Sequence, residues 1–362
     1  MYDVAIIGLG PAGATLARLL DPGLRVIAID RKNPDGPAGF QKPCGGLLST
    51  DAQKALSRFN LTLPLDLLVD PQIFSVRTID LGSGIIRHYQ RFYINLDRRR
   101  FDQWLISLIP GRVEVRHRAR CTQVCRVEDG YEVTWREDGT EHIIRAKCLV
   151  GADGASSVVR RYAYPEESIR KYLAIQQWFP DAHATPFYSC VFDRQTTDCY
   201  AWGLSKNGSF LFGGAFAVKT GREDFKRLKE RLGPYGFRLE HPLRTEACMV
   251  LRPAGPGDYC CGRDGMFLIG EAAGFVSPSS LEGISYAINS GYALSRVLNQ
   301  PQGNPNRRYR RAVAGIRTRL TLKNLKSPFL YAPPLRRMVM KSGLNAIQVL
   351  EDEKPAPPPE EE

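Results

Sequence analysis

The stretch "YDVAIIGLGPAGATLARLL" (residues 2–20) joins an apolar strand pattern, a glycine turn and a helical pattern. Gly8, Gly10 and Gly13 stand in a G-x-G-x-x-G spacing. The first glycine allows a tight turn, the second lets a pyrophosphate touch the backbone, and the third lets helix and strand pack closely. The phosphates then lie at the helix N-terminus, where free N–H groups and the helix dipole favour negative charge.

A second strand pattern, "LRVIAID", follows this helix and ends on Asp30. An acid at this position accepts hydrogen bonds from ribose hydroxyls. A glycine-rich turn with a purely structural role would not require the helix, the second strand and the terminal acid in this order. The sequence therefore predicts an α/β Rossmann-like fold that binds a dinucleotide.

Two later segments favour FAD over a nicotinamide dinucleotide. "AKCLVGADGASSVVRR" (residues 146–161) is an apolar strand that runs into Asp153, and residues 264–294 form a strand, a turn with Gly270 and Glu271, a loop and a helix. A fold that holds FAD needs such returning segments, because the ribityl chain and the isoalloxazine extend beyond the nucleotide. We expect the acid of the second turn to meet the ribityl hydroxyls and the next helix to face the flavin.

Four segments carry a family resemblance: "KPCGGLLS", "INLDRRRFDQWL", "YAWGLSKNG" and "GEAAGFVSPSSLEGISYAINSG". The chain resembles the geranylgeranyl reductase family of FAD-dependent oxidoreductases, and within it the bacterial CbrA branch, over nearly all of residues 1–340. The resemblance implies a hydroxylase-type FAD-binding domain interleaved with an antiparallel-sheet substrate domain. It also implies reduction of a carbon–carbon double bond, in an isoprenoid or other apolar substrate, by hydride transfer from reduced flavin.

The resemblance also predicts site residues. Cys44 is expected to lie against the flavin, either as a proton source or as a residue that only packs there. The residues expected to contact FAD are Gly8, Gly10, Ala12, Gly13, Asp30, Arg31, Cys44, Gly45, Gly46, Arg98, Val124, Asp153, Gly270, Glu271, Gly283 and Ile284. Tyr200, Trp202 and Leu281 are expected to contact the substrate, and Trp178 and Phe212 are further candidates, unless these aromatic residues are ordinary sheet core.

Some positions depart from the family pattern. Glu271 stands where the family has Asp, Leu281 where many members have Gly, and Leu204 and Ser205 where the family has Phe and Pro. A leucine at position 281 would narrow or redirect the substrate pocket, so the substrate need not be a geranylgeranyl lipid. A flavin monooxygenase and a non-catalytic flavoprotein that binds an apolar ligand remain alternatives.

The predicted organisation is discontinuous. Residues 1–72, 95–165 and 256–300 form the FAD-binding domain, and residues 73–94 and 166–255 form the substrate sheet. Residues 301–350 form a basic C-terminal segment that holds eleven Lys and Arg and no Asp or Glu, and residues 306–341 within it are expected to form two amphipathic helices separated by a break at "SPFLYAPP". The acidic tail, residues 351–362, is expected to be disordered.

The basic segment 301–350 suggests partners. It would suit peripheral contact with a membrane or with an acidic electron carrier, or it is a solvated face that covers the FAD domain. No nucleic-acid recognition module occurs. Because no second dinucleotide fingerprint occurs, the electron donor is open between NAD(P)H, a ferredoxin-like protein and a quinol.

Composition argues against a membrane-spanning, a disulfide-rich or a zinc-binding protein. No run of eighteen apolar residues occurs, so we expect no membrane span. The nine cysteines are scattered and odd in number, and they show neither a disulfide framework nor the paired spacing of a zinc site. We therefore expect no metal and a cytoplasmic protein, with association at the inner membrane surface as an option.

Overall fold

The structure is a computed structural model that describes residues 1–33, 42–166, 169–180, 187–300 and 302–349. The predicted acidic tail, residues 351–362, lies outside these ranges. Within them the chain forms two large sheets, with helices packed on both.

The first sheet begins with the predicted strand and has the order β6-β2-β1-β9-β8-β7, with β15 also paired to β9. The strands β6, β2, β1, β9 and β15 pair in parallel, whereas β7, β8 and β9 pair antiparallel. The strands are β1 (Tyr2–Ile7), β2 (Val26–Ile29), β6 (Glu114–Arg116), β7 (Ala119–Val127), β8 (Gly130–Glu137), β9 (Thr140–Gly151) and β15 (Met266–Leu268).

The second sheet has the order β14-β10-β13-β12-β11-β4-β5-β16, with β3 paired to β5. Its pairs are antiparallel except for β11 with β4. It also includes β3 and β16, which come from segments predicted for the FAD domain and the helical segment. The strands are β3 (Leu47–Leu48), β4 (Ile73–Asp80), β5 (Ile85–Asn95), β10 (Lys171–Pro180), β11 (Phe187–Phe192), β12 (Ala201–Lys206), β13 (Ser209–Phe216), β14 (Arg244–Leu251) and β16 (Ala346–Ile347).

The helices cover both sheets. Strand β1 leads through the glycine turn into α1, and the loop after β15 leads into α6, which packs against α1. The helices are α1 (Pro11–Leu19), α2 (Thr50–Ser57), α3 (Arg98–Ser107), α4 (Val158–Ala163), α5 (Gly221–Arg231), α6 (Ile284–Leu298), α7 (Pro305–Ala312), α8 (Ala314–Tyr331) and α9 (Pro333–Ser342).

The break predicted at "SPFLYAPP" is confirmed at Ala332, between α8 and α9, but the predicted number of two helices is wrong, because a further break makes three: α7, α8 and α9. The first break lies at Val313, and α8 continues through Pro328 before it ends at Tyr331. A proline inside a helix removes one backbone hydrogen bond, whereas Pro333 and Pro334 begin α9, where no intrahelical N–H donor is needed. The prolines at positions 333 and 334 therefore mark the second break, and Pro328 does not.

No helix among the described residues is both long enough and apolar enough to cross a bilayer.

Candidate active site

The glycine turn after β1 brings strand and helix into close contact. Gly8 has φ +99°, and a Cβ added to it would lie 2.5 Å from the carbonyl oxygen of Ala152. A Cβ on Gly13 would overlap the carbonyl oxygen of Gly8. In contrast, a Cβ on Gly10 would meet no atom within 4 Å, and no side chain caps the N-terminus of α1. The backbone in front of Gly10 is therefore open to a ligand, as its place in the motif predicts.

Asp30 fixes the end of β2 next to this turn. Its side chain is buried, its Oδ1 accepts a hydrogen bond from the Lys32 N–H at 2.7 Å, and its Oδ2 accepts one from the Leu9 N–H. Arg31 follows directly, and burial lowers the pKa of its guanidinium, although Asp30 acts in the other direction. Val124, the predicted contact on β7, is buried in the core of the first sheet.

Asp153 lies at the C-terminal end of β9, where Gly8 approaches. Its Oδ2 accepts a hydrogen bond from the Val158 N–H at 2.7 Å, but its buried Oδ1 has no hydrogen-bond partner among the residues that the structure describes. Burial raises the pKa of this carboxyl group. A buried oxygen without a partner is costly, so this acceptor suits a donor supplied by a ligand.

The second predicted turn closes on the same place. Gly270 has φ +58°, and its added Cβ would lie 2.9 Å from the Cβ of Ala12 in α1. The next residue, Glu271, accepts a hydrogen bond from the Leu251 N–H at 3.1 Å and forms an ion pair with Lys42. The structure therefore brings the turn at Gly270 next to the start of α1, and the "KPCGG" segment next to the carboxylate of Glu271.

Gly283 and Ile284 begin α6. Gly283 is the N-cap residue and supplies no side-chain cap, so the first N–H groups of α6 are not capped by a side chain. The preceding residue, Glu282, accepts hydrogen bonds from Ser49 at 2.6 Å and Ser285 at 2.9 Å. Sequence reasoning missed Glu282, which ties the helix start to the residues after the cysteine loop.

Cys44 lines a cavity of about 780 Å³ between the two sheets. The cavity volume lies within the range of cofactor and ligand sites. The Cys44 sulfur accepts a hydrogen bond from the Gly46 N–H at 3.4 Å. An added Cβ on Gly45 would lie 3.8 Å from the side chain of Leu204, and Gly46 has φ +65°. The glycines therefore let the loop fold over β12 and present the thiol to the cavity.

Lys206, at the end of β12, is a site residue that sequence reasoning missed. Its buried ammonium group donates hydrogen bonds to the side chain of Asn95 at 2.8 Å and to the carbonyl oxygen of Leu96 at 2.7 Å. It also lines the cavity and interacts electrostatically with Cys44. Burial lowers the pKa of Lys206 to about 8, although Cys44 acts in the other direction. The only signal in the sequence was the lysine in "YAWGLSKNG".

Arg98 approaches Cys44 from α3. Its guanidinium donates a hydrogen bond to Asp102 at 2.7 Å, and Lys32 pairs with the same carboxylate at 2.8 Å. Burial raises the pKa of Asp102, but the Arg98 and Lys32 cations outweigh it and hold the pKa at about 2. Arg98 also interacts electrostatically with Cys44, and the thiol lines the same cavity as the two cationic side chains Arg98 and Lys206.

The three predicted substrate residues lie in one apolar cluster on the face of the second sheet that carries Trp178. Tyr200 and Trp202 have ring centroids 5.8 Å apart, and the Tyr200 hydroxyl donates to the carbonyl oxygen of Ser280 at 2.6 Å. Leu281 packs on this cluster with φ +52°, a conformation that favours glycine. These three residues do not line the 780 Å³ cavity as the structure describes it, whereas Trp178 does.

The prediction for Phe212 is wrong. Side chains alternate along β13, so Phe212 lies on the opposite face of the sheet from Trp202. It is fully buried and stacks on Phe225 of α5, with ring centroids 5.9 Å apart. Phe212 is therefore part of the hydrophobic core between the second sheet and α5.

Polar side chains on β10 and β14 also line the cavity beside Trp178, and sequence reasoning missed three of them, Gln176, Glu246 and Arg244. Gln176 and Trp178 both donate to the carboxylate of Glu246, at 2.6 Å and 3.1 Å, and Arg244 lies over the Trp178 ring at 4.6 Å from its centroid. The side-chain carbonyl of Gln176 is buried without a partner. These strands are far apart in sequence, so their pairing gave no local signal.

No group of three His, Cys, Asp or Glu residues that could hold a metal ion occurs among the described residues.

Solved structures share this fold. The structure matches a geranylgeranyl bacteriochlorophyll reductase-like protein from Thermoplasma acidophilum with a TM-score of 0.75 and 19% identity, over 93% of this chain and 90% of the other. It matches PqsL, a probable FAD-dependent monooxygenase from Pseudomonas aeruginosa, with a TM-score of 0.69 and 17% identity, over 95% and 99%. The predicted fold is confirmed: it is the FAD-binding Rossmann-like fold of the hydroxylase and geranylgeranyl-reductase type.

Sequence comparison narrows this class. The chain is 51% identical over 351 residues to protein CbrA of Escherichia coli O6:H1, and the alignment covers 97% of this chain and 96% of that protein. No family model matches. The chain belongs to the CbrA family. The predicted CbrA branch is thus confirmed, and the likeness to geranylgeranyl reductases holds at the level of the fold.

Proposed function

We propose that this protein is an FAD-dependent oxidoreductase that reduces a carbon–carbon double bond in an isoprenoid or other apolar molecule. The observation that carries the proposal is the position of the Cys44 thiol. It lines the cavity together with the cations Arg98 and Lys206, both of which interact with it, and its loop lies against Leu204 in the strand next to the aromatic cluster of Tyr200 and Trp202.

The residues of the first sheet fit FAD. Gly10 leaves open space before an uncapped helix, and Asp153 offers a buried acceptor without a partner. In this proposal the pyrophosphate lies at the start of α1, Asp30 accepts from the ribose, and Glu271 accepts from the ribityl chain. We propose that the residues predicted from sequence, from Gly8 to Ile284, would hold the cofactor. When bound, reduced FAD supplies the hydride.

The chain itself supplies the proton. The Cys44 sulfur donates its hydrogen to the alkene carbon that does not receive the hydride, and the thiol becomes a thiolate. The Arg98 guanidinium and the Lys206 ammonium stabilise that thiolate by charge until water returns a proton. Asn95 and Leu96 hold the ammonium in place through the two hydrogen bonds described above.

In this proposal the apolar cluster, which reaches the cavity through Trp178, orients the substrate. Aromatic and aliphatic walls favour a hydrocarbon chain and exclude water from it. Tyr200 is held by its hydrogen bond to Ser280, so the ring that faces the substrate is fixed in orientation. Leu281, on the same cluster, limits the width of the pocket.

The test is anaerobic. The purified protein is reduced with dithionite, a prenyl diphosphate or a polyprenyl lipid is added, and flavin absorbance is followed before oxygen is admitted. The proposal predicts that the lipid reoxidises the flavin without oxygen and gains two hydrogens by mass. Reoxidation by oxygen alone, faster with an apolar ligand, would instead identify a monooxygenase, and absence of any bound flavin would rule out both reactions.

A further inference from the structure

Helix α8 exposes an apolar stripe that the proposed chemistry does not use. Leu322, Leu325 and Phe329 follow each other at spacings of three and four residues, so they lie on one face of the helix. Their exposed fractions are 52%, 68% and 51%. Single exposed apolar side chains are common on soluble proteins, but an aligned stripe of this kind marks an interaction surface.

The inner face of α8 is already occupied. Leu320 is fully buried and Ser327 is nearly so, and Lys323 forms an ion pair with Asp51 at 3.9 Å. The helix is therefore anchored to the body of the protein with the stripe facing outwards, and the stripe is not needed to cover the first sheet.

The segment that carries the stripe is rich in exposed cations, and residues 301–350 contain no acidic side chain. Arg319 and Lys326 are exposed on α8 itself. The neighbouring helices add the exposed cations Arg307, Arg310, Arg311, Arg337 and Lys341. Each cation near an anionic bilayer contributes about 1 kcal/mol to binding. An apolar stripe among cations is the pattern of helices that lie in the membrane interface.

We propose that α8 docks the protein on a bilayer that contains anionic phospholipid, with Leu322, Leu325 and Phe329 inserted between the headgroups. The exposed cations by themselves would bind an acidic protein as well as an anionic bilayer. The stripe favours the bilayer, because its three apolar side chains gain free energy only where they leave water.

Docking there has a consequence for the site. Tyr331 is two residues after Phe329, about 3 Å further along the helix axis. Its ring packs in the apolar cluster, its hydroxyl donates to the carbonyl oxygen of Ser279 at 2.8 Å, and the Arg252 guanidinium lies 4.0 Å from the ring centroid. The end of α8 thus joins the docking face to the cluster that contains Trp202, so an apolar ligand dissolved in the bilayer is close to its site.

The test is vesicle flotation of the full chain, with phosphatidylcholine vesicles and with vesicles that also contain about 30 mol% phosphatidylglycerol. The wild-type chain is expected to float with the anionic vesicles only. The double variant Leu325→Glu/Phe329→Glu should bind them about tenfold more weakly or worse, because it removes apolar area and adds two negative charges.

The matched control is Phe74→Glu/Ile143→Glu, which adds the same charge at side chains 65% and 57% exposed on β4 and β9. It should float like the wild type, and both variants should keep the wild-type melting temperature. Failure of the wild type to bind anionic vesicles would overturn the proposal. Full binding by the α8 variant would also overturn it, and would indicate docking by charge alone, as on an acidic protein.

Discussion

The two sheets contribute different kinds of groups to the candidate site. The first sheet offers backbone: the turn at Gly8 and Gly10, and the uncapped starts of α1 and α6. The second sheet offers side chains such as Lys206, Trp178 and Gln176. Backbone features of this kind depend on glycine spacing and can be read from a short stretch of sequence. Side chains that converge from distant strands cannot, and in this account they determine the reaction.

The largest effect on the reaction is expected at the thiol. Cys44→Ala should retain FAD but lower the rate of double-bond reduction about 10²–10⁴-fold, because the proton donor is lost. Single-turnover reoxidation of the reduced protein by the alkene measures this step. Cys248→Ala is the matched control, since Cys248 is a nearby thiol that interacts with Cys44 but does not line the cavity. If Cys44→Ala keeps the wild-type rate, the thiol is not the proton donor and only packs in the site.

A pH profile tests the role of Lys206. Its pKa is about 8, so the ammonium that stabilises the thiolate is lost as the pH rises through that value, and the wild-type rate should fall there. In Lys206→Arg the side chain stays protonated, so the fall near pH 8 should disappear. The pH dependence of kcat measures this.

The control for that profile is Lys147→Arg, at an exposed lysine that pairs with Asp3. It should show the wild-type profile. If Lys206→Arg also keeps the fall at the same pH, another group causes it and the role assigned to Lys206 is wrong.

The two faces of the second sheet should respond differently to mutation. Trp202→Phe should raise KM for the apolar substrate about tenfold and leave FAD binding unchanged. Phe212→Leu should instead lower the free energy of unfolding by about 1–2 kcal/mol, because it disturbs the packing on Phe225, and leave KM unchanged. Steady-state kinetics and urea unfolding of both variants decide this. A raised KM in Phe212→Leu would contradict the assignment of the faces.

An effect on stability alone, with no change in the reaction, is expected in acid. The pKa of Asp102 in the folded protein is about 2, below its ordinary value of 3.8, so the ionised carboxylate stabilises the fold above pH 4. This contribution, about 2 kcal/mol, is lost as the pH falls from about 4 to about 2. Asp102→Asn should therefore be less stable than the wild type at pH 5, with a gap that narrows in acid. A gap that stays constant in urea unfolding between pH 5 and pH 3 would argue against this ion pair.

The sequence was sufficient to predict the first strands, the glycine turns and the fold class. Two family motifs, "YAWGLSKNG" for Tyr200 and Trp202 and the segment after Gly270 for Leu281, assigned these residues to the substrate, and the structure brings them into one cluster. The sequence could not assign Phe212, because β13 is buried on both faces and hydrophobicity does not then distinguish them.

Two other features also lay beyond the sequence. Lys206 becomes a site residue only because Asn95 and the cysteine loop fold next to it, from more than a hundred residues away. The path of α8 through Pro328 could not be read either, because one missing N–H does not end a helix that is anchored on its inner face.

Binding of FAD at the open turn of the first sheet can be measured by titration of the chain with FAD, followed by flavin fluorescence. Wild type should bind one FAD per chain. Gly10→Ala should fold normally, since its Cβ meets no protein atom within 4 Å, yet bind FAD about tenfold more weakly or worse, because the Cβ occupies the place of the pyrophosphate. The control Gly315→Ala on α8, also without neighbours within 4 Å, should bind like the wild type. Equal affinity in all three chains, or no FAD binding by the wild type, would contradict the account.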